Sequence, residues 1–86
     1  PRTMKSVKIP EFNVTCVRLE ADSGSIIGKT IAQANIREKF GVNIIALSRN
    51  NNMIYPILPD EKLHQNDLIY ISGEPENIDK FHKAVK

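Results

Sequence analysis

The chain is poor in most of the residues that mark a specialised chemistry. It has one cysteine, Cys16, so no intrachain disulfide can form. Its two histidines, His64 and His82, lie far from each other and from Cys16 in the sequence, and no metal-ligand spacing results. Both histidines read as solvated surface residues. Tryptophan is absent, and two tyrosines with three phenylalanines are too few for a base-stacking platform. The net charge of +2 is far from the dense basic face that a nucleic acid needs. No apolar run exceeds four residues, the length of "IIAL", so nothing is long enough to span a membrane and no signal peptide is visible. Paired carboxylates, Ser/His sets and Cys/His sets are also missing, which argues against an enzyme.

What remains is ordinary globular material. At 86 residues, 41% apolar and 26% charged, the chain makes one small domain. A domain of this size hides roughly 60–65% of its unfolded surface, so its core is modest and dimerisation would help it. The charge is uneven. Residues 1–50 carry 8 Lys and Arg against 4 Asp and Glu, whereas residues 51–86 carry 4 against 6. Lys29, Arg37, Lys39 and Arg49 fall in the basic half and suit a small anionic ligand better than a polyanion. The start at Pro1, without methionine, reads as a piece cut from a longer protein.

Residues 1–12 are expected to be a lead-in with a short edge strand, "SVKIP", and residues 13–86 a single domain. "NVTCVRLE" reads as a strand from its apolar positions Val14, Cys16 and Leu19, with Val17 taken as off phase, which predicts a buried Cys16 thiol and fits a reducing compartment. "KTIAQANIREKFG" predicts one short helix, opened by a Thr30/Gln33 capping box and closed by Gly41. "VNIIALSR" reads as a central strand, "MIYPI" as an edge or bulged strand because of Pro56, and "LIYIS" as a strand closed by Gly73. "EPENIDKFHKAVK" reads as a helix with Pro75 at its first position, acids at its start, lysines at its end and Ile78, Phe81 and Val85 as its apolar stripe. The order β-β-α-β-β-β-α predicts an α+β domain, a small mixed or antiparallel sheet with both helices on one face.

"SGSIIGKT", residues 23–30, imitates a phosphate-binding loop. The pattern needs four residues between its glycines, and Gly24 precedes Gly28 with only three between. No magnesium-binding strand accompanies it. The stretch is expected to be a strand-to-helix corner, with Ile26 and Ile27 plugging apolar surface and Lys29 solvated.

Taken in order, Ser25, Gly28, Lys29, Thr30, Ile31, Ile36, Arg37, Gly41, Asn43, Ile44, Arg49, Pro56, Leu63, Asp67, Leu68 and Gly73 resemble the C-terminal domain of regulators of potassium conductance, also called the TrkA C-terminal domain. The resemblance covers nearly the whole chain. Asn66 departs from the glycine common in the family, a mild change because Asn tolerates turn geometry. The resemblance implies a homodimeric, non-catalytic cytoplasmic module that regulates a potassium channel, uptake system or cation:proton antiporter at the inner face of the membrane. In several bacterial members the regulatory ligand is cyclic di-AMP, held at the dimer interface. Carried over by position, Ile31 and Ala32 would face adenine rings, Arg37 would hold a phosphate, Asn43 and Ile44 would contact base and ribose, and Pro56 would close the side. Ala32 is smaller than the aliphatic residue of binding members. Asp67 is expected to brace the turn before "LIYIS". The rival to the ligand reading is a dimerisation module with no ligand of its own.

Overall fold

The computed structural model describes residues 13–21 and 23–85. The expected strand "SVKIP" lies outside the described residues. The remainder is a four-stranded antiparallel sheet carrying short helices, the α+β class expected. In chain order the elements are β1 (Asn13–Arg18), α1 (Ile31–Ala34), α2 (Ile36–Phe40), β2 (Asn43–Arg49), β3 (Asn52–Ile54), β4 (Leu68–Gly73) and α3 (Pro75–Val85). The strands lie side by side in the order β1-β4-β2-β3. β2 is therefore central and β3 an edge, in line with the sequence reading, and β4 is central as well. β3 stops at Ile54, before the cis Tyr55–Pro56 bond, so Pro56 is not part of a strand.

The register decides which face is core. Val17 pairs with Ile69, Ile69 with Leu47, and Leu47 with Ile54, so all four share one face. These residues join Leu19, Ile71, Ala34, Ile36, Phe81 and Val85 in one apolar cluster, which puts the helices on that face. Leu19, Val42, Leu47, Leu63, Ile69, Ile71 and Phe81 are wholly buried, and burial of this kind is the main stabilisation open to so small a domain. A register shift between Ile44 and Ala46 leaves Ile45 as an extra residue, within the four consecutive apolar positions Ile44 to Leu47 of this strand.

Cys16 is exposed, which corrects the reading of the first strand. Its direct partner is Tyr70, on the face away from the helices, and Val17 rather than Cys16 shares the buried side with Leu19. Val14, on the same outward face, is also exposed. The off-phase Val17 marked the true phase, because residues i and i+2 line one face and Leu19 is fully buried.

The expected single helix is two. Thr30 caps α1 as predicted: its hydroxyl accepts from the Gln33 N–H at 3.1 Å, and the Thr30 N–H donates to the Gln33 carboxamide at 2.9 Å. Asn35 then enters the left-handed region at φ 50°, ψ 40°, and α2 starts afresh behind it. Gly41 ends α2 at φ 75°, in the left-handed position that glycine adopts without a Cβ penalty. The amphipathic face of α3 packs onto the sheet, and Phe40 of α2 meets Phe81 edge to face with centroids 5.5 Å apart.

Candidate functional site

The corner at residues 23–30 uses its own backbone donors. The Ile26 and Ile27 N–H groups donate to the Ser23 carbonyl, Gly28 to Leu63, and Lys29 to Ile26. A phosphate loop presents such N–H groups to its ligand, and here they are consumed within the chain. Gly28, at φ 87°, makes the bend, Ile26 is buried and Lys29 is exposed.

Beyond the corner, residues 59–63 hold the start of α1. The Ile31 N–H donates to the Glu61 carbonyl at 2.9 Å and the Ala32 N–H to the Pro59 carbonyl at 3.0 Å. Leu63 donates to Lys29, so a short bridge ties the two segments. The first N–H groups of a helix have no partner inside it, and here neighbouring carbonyls satisfy them.

That loop is in turn fixed by a clamp. The Arg49 guanidinium donates from Nε to Asp67 Oδ1 at 2.9 Å and from Nη2 to Asp67 Oδ2 at 2.8 Å, the bidentate geometry that favours arginine over lysine. Nη1 reaches Glu61 at 3.3 Å, and Nη2 also donates to the Lys62 carbonyl at 2.8 Å. Asp67 accepts a further bond from the His64 N–H at 2.9 Å, the side-chain brace expected of it. Burial alone would push the Asp67 carboxyl up. The hydrogen bonds from Arg49 and His64 and the charge of Arg49 outweigh that and hold it below the usual carboxylate range. Hydrogen bonding to Asp67 leads the effects that raise Arg49. Arg49 is therefore committed to structure, and the sequence reading of it as one of several cations for an anionic ligand is corrected.

The candidate site lies on the other side of α1. A hollow of about 260 Å³ opens between α1, α2 and the start of β2. Ile31 and Ala32 line it from α1, Asn35 and Arg37 from the helix break and α2, and Asn43 and Ile44 from β2. Buried Ile36 and Val42 complete the wall. Five of the six residues singled out from sequence meet here. Pro56 does not; it is exposed beyond β3 and does not line the hollow within this chain. Arg37 is exposed, and the ion pairs among the described residues belong to Arg49, so the Arg37 guanidinium is available. Sequence reasoning missed Asn35, Ile36 and Val42. An Asn eight residues before another Asn gave no signal, because nothing in the pattern marked the helix break.

The hollow is suited to binding rather than to bond-making. It offers aliphatic surface, one cation and two carboxamides. No group of three or more His, Cys, Asp or Glu is placed to hold a metal among the described residues. A second hollow, of about 360 Å³, runs between β1 and the end of α3 and brings Cys16 and His82 to its rim. Arg18, Glu20 and Ser23 also line it. No helix among the described residues is long and apolar enough to cross a membrane.

Comparison with known proteins bears on this geometry. The Ktr system potassium uptake protein C of Bacillus subtilis (strain 168) is 35% identical over 60 residues, 70% of this chain. The chain spans only about a quarter of that relative, whose matched part is 27% of its length. The RCK C domain of the potassium transport protein KtrA, solved in complex with cyclic diadenosine monophosphate, matches with a TM-score of 0.76 at 25% identity, over 85% of this chain and 82% of that one. The RCK_C domain dimer of S. agalactiae BusR, also in complex with c-di-AMP, matches with a TM-score of 0.74 at 20% identity, over 84% and 93% of the two chains, and so shares the fold. The family model of the TrkA-C domain matches residues 14–86. The chain belongs to the TrkA-C domain family, a family of non-catalytic regulatory domains.

Proposed function

We propose that this chain is a ligand-binding regulatory module of potassium or monovalent-cation transport, and that it takes a cyclic dinucleotide, cyclic di-AMP, where two copies meet. The observation that carries the reading is the hollow itself, which sets exposed Arg37, outside every ion pair among the described residues, beside the aliphatic wall of Ile31, Ala32 and Ile44. A planar guanidinium suits phosphate oxygens, and aliphatic side chains suit the face of a base. Asn43, at the mouth of β2, adds donors and acceptors for base and ribose. Two phosphates and two adenines related by a two-fold axis match two copies of such a site. Pro56 would then close the ligand from outside the hollow of its own chain. Relatives in potassium transport support the setting, in which the ligand acts by binding one arrangement of the membrane partner's regulator more tightly than another.

Isothermal titration of the chain with cyclic di-AMP tests this. Binding is expected, with loss of at least tenfold in affinity in Arg37→Ala. Absence of binding at high protein concentration overturns the reading.

A second reading is dimerisation without a ligand. It is favoured by the sheet face away from the helices, where Val14 and Met53 are more than half exposed. Sedimentation that shows a dimer unaffected by cyclic di-AMP, together with no heat of binding, would support it.

A further inference from the structure

Asn35 stands between the two halves of the site. Its backbone is fully used: its N–H donates to the Ile31 carbonyl at 3.1 Å, and its carbonyl accepts from the Lys39 N–H at 3.1 Å. Its side chain is not. The carboxamide makes no capping bond to α2, is exposed and lines the hollow between Ile31 and Arg37.

The backbone geometry leaves this side chain free of local hydrogen bonds among the described residues. At φ 50° asparagine is, after glycine, the residue that adopts this region most readily, so the joint accounts for the residue type but does not use its side-chain amide. Asn50, Asn51 and Asn66 also have positive φ, but they lie in turns away from this hollow. Asn35 alone among these four lines the hollow, beside an Arg37 that makes no ion pair among the described residues.

A carboxamide presents one donor and one acceptor side by side. That pair complements the N6 amino group and N7 of adenine, whereas guanine offers acceptors at both O6 and N7. We propose that Asn35 is a specificity-determining residue, whose carboxamide reads the edge of a purine lying on Ile31 and Ala32 and favours adenine over guanine. This rests on the cyclic-dinucleotide reading of the hollow.

Glycine separates the amide from the backbone. Asn35→Gly keeps the left-handed joint and removes only the carboxamide. Titration of the wild type and this variant with cyclic di-AMP and with cyclic di-GMP, alongside thermal melts, tests the proposal. The expected result is an unchanged melt, affinity for cyclic di-AMP lowered by about 5- to 10-fold, and little change for cyclic di-GMP. Asn35→Asp also tolerates the joint, but it replaces the donor and adds charge near the phosphates, so it should bind cyclic di-AMP more weakly still. Wild-type affinity in Asn35→Gly, or an equal loss for both ligands, overturns the proposal while leaving the wider reading in place. A wild type that binds neither nucleotide overturns both.

Discussion

Removal of the Asp67 carboxylate gives the strongest test of how the loop beneath α1 is held. Asp67 is 1% exposed and accepts three hydrogen bonds, two from Arg49 and one from the His64 N–H. In Asp67→Ala the Arg49 head group, whose side chain is 23% exposed, loses its buried counter-charge. Breaking a buried pair in this way costs about 3–5 kcal/mol, mostly because the remaining partner is left uncompensated. Arg49 keeps Glu61 at 3.3 Å and partial access to water, which places the expected loss at the low end. We expect about 3 kcal/mol, read as a shift in the urea midpoint at fixed protein concentration with an unchanged slope. Replacing both partners by apolar residues, Arg49→Met with Asp67→Leu, should cost less than Asp67→Ala alone, because neither charge is then orphaned. A loss under about 0.5 kcal/mol for Asp67→Ala would refute the account, since that is the range of an ordinary surface substitution. A double variant less stable than the single one would refute the account of where the cost arises.

The remaining predictions concern the same small domain. Since the Asp67 pKa is lowered on folding, its contribution is present above the ordinary carboxylate range and is lost as the pH falls through the folded value; urea melts should show wild-type stability falling below about pH 4, with a weaker fall in Asp67→Asn. Gly41→Ala should destabilise by about 1–2 kcal/mol, chiefly because φ is 75°; the new Cβ would also lie 2.9 Å from Asn77 Nδ2, a contact the Asn77 side chain can turn to relieve. Thr30→Ala removes one half of the capping box and should cost about 1 kcal/mol by thermal or urea melt. Lys29→Ala should stay within about 0.5 kcal/mol of wild type, since the lysine of the false phosphate loop is exposed and outside every ion pair among the described residues.

The sequence was most readable where one residue type had one physical use. Thr30 with Gln33, Gly41, Pro75 and the stripe of Phe81 and Val85 each lie where the pattern placed them. It misled where two readings used the same letters. In "NVTCVRLE" the valines at 14 and 17 sit on opposite faces, and only pairing with Ile69 and burial of Leu19 decide between them. "TIAQANIREKFG" reads as one helix because Asn is only a mild helix breaker, worth a fraction of 1 kcal/mol, and tertiary contacts can override a preference that small. Of the site, the aliphatic and cationic residues were legible and the joint was not, since a left-handed Asn is a property of the fold around it.

The break at Asn35 also divides the site between two anchorages. Ile31 and Ala32 ride on α1, whose first N–H groups are tied to the carbonyls of Glu61 and Pro59 and, through that loop, to the Arg49–Asp67 clamp. Arg37 rides on α2, which is held instead by Phe40 against Phe81 of α3 and by the turn at Gly41. One left-handed residue joins the two pieces. Had the helix been continuous, the wall and the cation would have moved as one body, and a ligand touching both would have joined nothing that was not already joined. With the break, a molecule that packs on Ile31 and pairs with Arg37 bridges pieces that the chain anchors separately. A regulatory ligand acts only through differences in affinity between arrangements of its site.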